Sequence, residues 1–294
     1  MKQKAVDAEK QMDEAVRTGD FEALKAAIED GGNVNGRYKR TGKPYLLVIF
    51  DSVNLDNPSW GSAKCCRNRL KMARLLIDAG ADVNARDKNV ITPLYWACQW
   101  QNHDVVKQLI DYGAKVNLIE DGHHGLRNNF YPLIMAAQKR KPEIVELLLD
   151  AGADVNVRDE DDCTPLYIAC RNGRPDIARL LIDAGADVNA RGTAGWTPLH
   201  WACFNGHSDT VHRLFAHGAE PHVKDVYGHT ALAIALDEFA RSNPEREAIL
   251  TAFQEFAPEV YFETFCTRSM APEGIRWRHS LNTGWPMTSF MRSR

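Results

Sequence analysis

The sequence predicts an all-α repeat solenoid, a row of helix–turn–helix units that bury their apolar faces only against one another. Three observations predict it. First, GADVN recurs at Gly80–Asn84, Gly152–Asn156 and Gly185–Asn189, with relatives at Gly31–Asn35, Gly113–Asn117 and Gly218–His222. The last residues of these motifs stand at 35, 84, 117, 156, 189 and 222, so the steps are 49, 33, 39, 33 and 33. The base period is 33, and the two longer steps exceed it by 16 and 6 residues. Second, a TPL-type motif keeps the same step: TPLYWAC from Thr92, TPLYIAC from Thr164 and TPLHWAC from Thr197, with weaker copies from Lys43, Tyr131 and Thr230. Third, apolar residues between the motifs recur at helical spacing.

One unit shows why each element forms. The Thr164 hydroxyl suits a helix N-cap, and Pro165 fits the first turn, where no N–H is needed. Leu166, Ile168, Ala169 and Cys170 supply a short apolar helix, which Asn172–Gly173 ends. PDIARLLID, from Pro175 to Asp183, is a second, amphipathic helix with Ile177, Ala178, Leu181 and Ile182 on one face. Gly185 follows as a left-handed stop. The connecting segments are polar and extended, as turns or hairpins are. The 16 extra residues fall near 52–68 and the 6 near 121–130. The N-terminal piece, 1–35, shows only helix pattern with a charged outer face, as a capping half-unit needs.

Composition narrows the function classes. The chain has 294 residues, with 36 Lys+Arg against 39 Asp+Glu, a net charge of −3. That balance argues against a dedicated nucleic-acid binder. The longest apolar run, Tyr45 to Phe50, is far short of the ~20 residues that span a bilayer, and no apolar secretory segment opens the chain. Seven cysteines, an odd count, favour free thiols in a reducing compartment, so a cytoplasmic or nuclear protein is expected. There is no HExxH, GxSxG, GxxxxGK[ST] or GxGxxG, so no enzyme is expected. Cys65–Cys66 and His123–His124 lack the spacing of a structural zinc site, so neither metal nor cofactor is expected.

The repeated motifs resemble those of the ankyrin repeat family. The residues that carry the resemblance are Thr197-Pro198-Leu199-His200-Trp201-Ala202, Gly206-His207 and Gly185-Ala186-Asp187-Val188-Asn189. It covers about Asp13 to Pro258. It implies L-shaped units of two antiparallel helices plus a β-hairpin finger, and a concave groove made by fingers and first helices. It also implies a monomer whose function is to bind another protein, not nucleic acid or membrane. The expected organisation is a capping half-repeat at 1–35, five repeats at 36–225, a C-terminal capping repeat at 226–259 and an aromatic, basic segment at 260–294. Lys43 and Tyr131, standing where the motif has Thr, depart from the pattern. His200 matches a histidine with a structural hydrogen-bonding role in the family. Asn84, Asn156 and Asn189 fall where some members are hydroxylated, although each reads first as a turn residue bonding its own backbone.

Cys98, Cys170 and Cys203 share one repeat position and read as small buried residues. Trp96 and Trp201 share another and read as core. The two positions that follow the Ala-Cys pair face the groove. They give Trp100, Lys139, Arg171, Phe204 and Asn205 as candidate contacts, with Trp100 and Phe204 as aromatic anchors. The fingers add Lys88, Asn89, Ile91, Glu160, Asp161, Tyr227 and His229. Trp196 suits packing or contact equally. Residues 260–294 carry five Arg and two Glu with Trp277, Trp285 and Phe290. Tyr261, Phe262 and Phe265 are expected to complete a cap begun by Ile249, Leu250, Phe253 and Phe256. An alternative is a two-partner adaptor, for example in ubiquitin-ligase substrate recruitment, with the C-terminal segment docking the second protein.

Overall fold

The computed structural model describes residues 2–50, 63–117, 131–236 and 245–269. The expectations for the two insertions (52–62 and 121–130), for His123–His124 and for Trp277, Trp285 and Phe290 lie outside the described residues. Fifteen α-helices are described, in two rows. The inner row is α1 (Lys2–Thr18), α3 (Tyr45–Phe50), α5 (Pro93–Gln99), α7 (Pro132–Gln138), α9 (Pro165–Arg171), α11 (Pro198–Asn205), α13 (Ala231–Ala235) and α15 (Pro258–Ser269). The outer row is α2 (Phe21–Glu29), α4 (Ala63–Asp78), α6 (His103–Asp111), α8 (Pro142–Asp150), α10 (Pro175–Asp183), α12 (Ser208–Ala216) and α14 (Arg246–Phe256). Each helix packs on the next one of its own row, which makes the structure an all-α solenoid.

The inner helices begin as the motif requires. The hydroxyls of Thr92, Thr164 and Thr230 accept the N–H of Tyr95, Tyr167 and Ala233 at 3.4, 3.3 and 3.3 Å. Tyr131 offers no such cap, and α7 starts on Pro132 alone. Thr197 and His200 form a capping box: the ring Nδ1 of His200 accepts the Thr197 N–H at 3.2 Å. The fingers are tight, with antiparallel bridges from Arg37 to Pro44 and from Lys224 to Thr230.

One core runs the length of the row. Cys98, Cys170 and Cys203 are buried as expected. Burial pushes the Cys170 thiol up to about 12 and also raises Cys98 and Cys203, so none is a ready nucleophile at neutral pH.

The asparagines do something other than the expected turn. Asn84 Nδ2 donates to the Gly113 carbonyl at 3.0 Å, and its Oδ1 accepts the Lys115 N–H at 2.8 Å. Asn35, Asn117, Asn156 and Asn189 repeat this pair of bonds onto the next unit. The local turn falls to the preceding aspartate: Asp82 accepts the Asn84 N–H at 2.9 Å. The bond to glycine spans 29 residues in uninterrupted units, but 45 from Asn35 and 35 from Asn117. Those excesses of 16 and 6 are the two insertions, so both leave the ladder intact. At the sixth position His222 breaks the series, and its Nε2 lies 3.6 Å from Glu259 of α15.

Helix α4 runs 16 residues from Ala63 against nine in α6, so the last part of the expected 52–68 insertion is helical. Helix α15 crosses the expected 259/260 boundary because Ala257 and Val260 are buried against the last layer. Tyr261 is half-buried, whereas Phe262 is 64% exposed and takes no part in the expected cap. The side chain of Phe265 is outside the described residues.

Among the described residues Val90 is the only β-branched one held in the left-handed region. Val90 has φ 64°, a left-handed conformation that glycine adopts freely at the equivalent Gly228. A β-branched residue there is a genuine outlier. Val90→Gly is expected to stabilise by ~1 kcal/mol, since relief of ~1–2 kcal/mol of strain outweighs the added chain entropy. That corresponds to a rise of roughly 2–4 °C in thermal midpoint by calorimetry.

Candidate functional site

Each finger leads directly into the N-terminus of its inner helix, as Asp87–Ile91 leads into the Thr92 cap of α5. In three fingers a carboxylate organises the turn. Asp87 accepts the N–H of Asn89 at 2.8 Å and of Ile91 at 3.1 Å. Asp159 accepts those of Asp161 at 3.0 Å and Cys163 at 2.9 Å. Asp225 accepts those of Tyr227 at 2.9 Å and His229 at 2.8 Å. Asp87 and Asp225 are buried, and Lys43 Nζ reaches Asp87 at 3.3 Å. These three aspartates are not among the expected site residues, although their recurrence five residues before Thr92, Thr164 and Thr230 is a signal in the sequence.

The turns place the candidates differently. Lys88, Asn89, Glu160, Asp161 and Tyr227 are exposed, and His229 is half-buried with Nδ1 3.5 Å from Asp225. Ile91 and Trp196 are corrections. Ile91 faces the core and is buried. Trp196 is buried too, and its indole N–H donates to Asp225 Oδ2 at 3.1 Å, so it is a packing residue.

The groove ends carry two aromatic clusters. At one, Trp100 lies 5.2 Å from Phe50, and the Arg69 guanidinium sits over its ring at 4.2 Å. Arg69 is buried and donates from Nε to the Ile49 carbonyl at 2.8 Å, tying α4 to α3. At the other, Phe204 lies 5.9 Å from both Trp196 and Trp201. Trp100 and Phe204 are both half-buried, so each already packs against its own array. Trp96 and Trp201 are likewise half-buried beside the core.

Between the clusters lie Lys139 and Arg171, both half-buried. The Arg171 guanidinium stands 5.9 Å from the Tyr167 ring centroid, and its Nε is buried with no acceptor among the described residues. Asn205 is turned inward: its Nδ2 donates to the carbonyls of Cys170 at 2.8 Å and Arg171 at 3.2 Å, closing the end of α9. His200 has its pKa lowered by burial, and its Nε2 faces the His229 carbonyl at 3.3 Å, a structural role. No group of three or more His, Cys, Asp or Glu is placed to hold a metal among the described residues. No described helix is long and apolar enough to cross a membrane.

Stacked helix pairs in two rows, stapled by a ladder of asparagines, define a repeat protein. Family models of ankyrin repeats match residues 12–120, 117–192 and 173–214. The chain belongs to the ankyrin repeat family. The ankyrin repeat domain of human ASB11 superposes with a TM-score of 0.60 and 26% identity, over 82% of this chain and 96% of that one. An ankyrin repeat protein of fowlpox virus is 40% identical over 53 residues, 18% of this chain and 8% of the viral one. Another, from Acanthamoeba polyphaga mimivirus, is 34% identical over 67 residues, 23% and 9% of the respective chains. The chain thus spans under a tenth of the length of these curated relatives.

Proposed function

We propose that the chain is a non-enzymatic module that binds a partner protein through the groove between fingers and inner helices, with Arg171 receiving a partner carboxylate. The observation that carries this is the Arg171 Nε, buried with no acceptor among the described residues. A buried unpaired donor on a cation is costly, and a carboxylate would satisfy it bidentately. Lys139 adds a second positive charge beside it. Trp100 and Phe204 stand three unit steps apart, roughly 30 Å at ~10 Å per packed layer. The fitting partner is a segment with acidic residues between two apolar ones.

The test is recovery of a partner by affinity capture, then titration calorimetry. Arg171→Gln is expected to weaken binding about tenfold, a charge-assisted bond being worth ~1.5–3 kcal/mol. Trp100→Ala and Phe204→Ala should each cost at least ~2 kcal/mol, about thirtyfold, with circular dichroism unchanged. Full-strength binding by all three variants would move the contact to another face.

One observation favours a second reading, a two-partner adaptor. Phe262 stands 64% exposed on the last described helix. The aromatic, basic residues follow directly after that helix. Loss of one of two captured partners on truncation to 1–269 would establish it.

A further inference from the structure

The finger tips differ in character along the row. The first described finger presents Lys39 and Arg40, and the second Lys88 and Asn89. The finger at 159–163 presents Glu160, Asp161 and Asp162, all exposed. The next, at Thr193–Gly195, is uncharged. The last presents Val226, 68% exposed, and Tyr227, 50% exposed. The described fingers therefore run from basic through acidic to apolar.

The apolar tip is held from several sides. Asp225 fixes the Tyr227 and His229 amides, and its other oxygen binds the Trp196 indole. The Val226 N–H donates to the Ala194 carbonyl at 3.0 Å. Ala194 itself is held at φ 59°, a conformation non-glycine residues rarely adopt. A buried carboxylate and a strained backbone thus hold two large apolar side chains out in water. Rigid exposed apolar residues lose little freedom when a partner covers them, which is what makes an efficient anchor. By contrast, Trp100 and Phe204 are already half-covered by their neighbours.

We infer that the finger edge is the specificity-determining surface of this module, with Val226 and Tyr227 as its apolar anchor and Glu160 and Asp161 as its acidic selector. The inference rests on the reading of the chain as a protein-binding module and names the partner's chemistry. Two unit steps separate the acidic finger from the apolar one, about 20 Å at ~10 Å per layer. An extended chain covers that in about six residues at ~3.3 Å each. The matching partner is an extended segment with an aliphatic or aromatic residue and a Lys or Arg about six residues away. Arg158, the cation next to the acidic tip, is turned to the carbonyls of Asp162 and Arg191 and toward Asp187.

The probe is a phage-displayed library of random 16-residue peptides, selected on the immobilised full chain. Enriched peptides, made synthetically, are expected to carry the apolar–basic pair at that spacing. Val226→Ser with Tyr227→Ser should weaken them at least tenfold without moving the melting midpoint, because both side chains are exposed. Glu160→Lys with Asp161→Lys should weaken them similarly and select peptides with Asp or Glu in the basic position. Enriched peptides indifferent to both finger variants but lost with Arg171→Gln would overturn this inference and leave the groove reading standing. Failure of the full chain to enrich any peptide would overturn both.

Discussion

Phe253→Ala should lower the unfolding free energy by ~4 kcal/mol, the largest single loss expected in the chain. Phe253 is fully buried on α14, and its ring meets Phe215 of α12 edge-on, at 4.9 Å and 89°. Phe215 in turn stacks on Phe256 at 5.6 Å and 14°. Among the described residues α14 has an outer-row neighbour on one side only, so the loss is shared by fewer contacts than in a central layer. Helix α14 also joins α13 to α15, so the cavity undermines the whole C-terminal layer. In urea the variant should show an early transition for the last layer, ahead of the main one. Phe256→Ala is the control: at 44% exposure it should cost ~1 kcal/mol or less. A single unshifted transition for Phe253→Ala would mean that α14 does not cap the array.

Features decided within one unit were legible in the sequence. The Thr caps, the Pro at the first helical turn and the buried Cys98, Cys170 and Cys203 follow from local chemistry repeated in register. What escaped was decided by the neighbouring unit. Asn84 reads locally as a turn residue, yet its partners lie 29 and 31 residues away. Trp196 offered no sign of direction until Asp225, 29 residues on, supplied an acceptor for its indole. Trp100 follows the Ala-Cys pair, a position expected to face the groove, but Phe50 and Arg69 from the adjoining layer half-cover it. Tyr227 stands out for the opposite reason: the last finger has no following finger among the described residues to lie against. Helix α15 is hidden in the sequence because PEVYFETF alternates without a clear apolar face, and among its described side chains Val260 is the most buried.

Asp225→Ala should cost ~3 kcal/mol, and the comparison with its equivalents shows why. Asp225, Asp159 and Asp87 make the same turn, each accepting two backbone N–H bonds. Only Asp225 also accepts a buried indole N–H, from Trp196 at 3.1 Å. Alanine there strands three donors, and a buried donor left without a partner costs ~1–3 kcal/mol. Some of that is recovered where water reaches the two amides at the finger, which is why the total stays near ~3 kcal/mol. Asp159→Ala strands two amides in a more exposed finger and should cost ~1 kcal/mol. Asp225→Asn keeps one acceptor oxygen but turns an amide toward the finger or toward Trp196, so it should fall between the two. Urea denaturation followed by tryptophan fluorescence measures all three. Equal losses for Asp225→Ala and Asp159→Ala would show that the indole bond contributes nothing. The same variant bears on function. With the turn released, Val226 and Tyr227 lose their fixed orientation, and peptides selected on the finger edge should bind at least tenfold more weakly even at temperatures where the array remains folded.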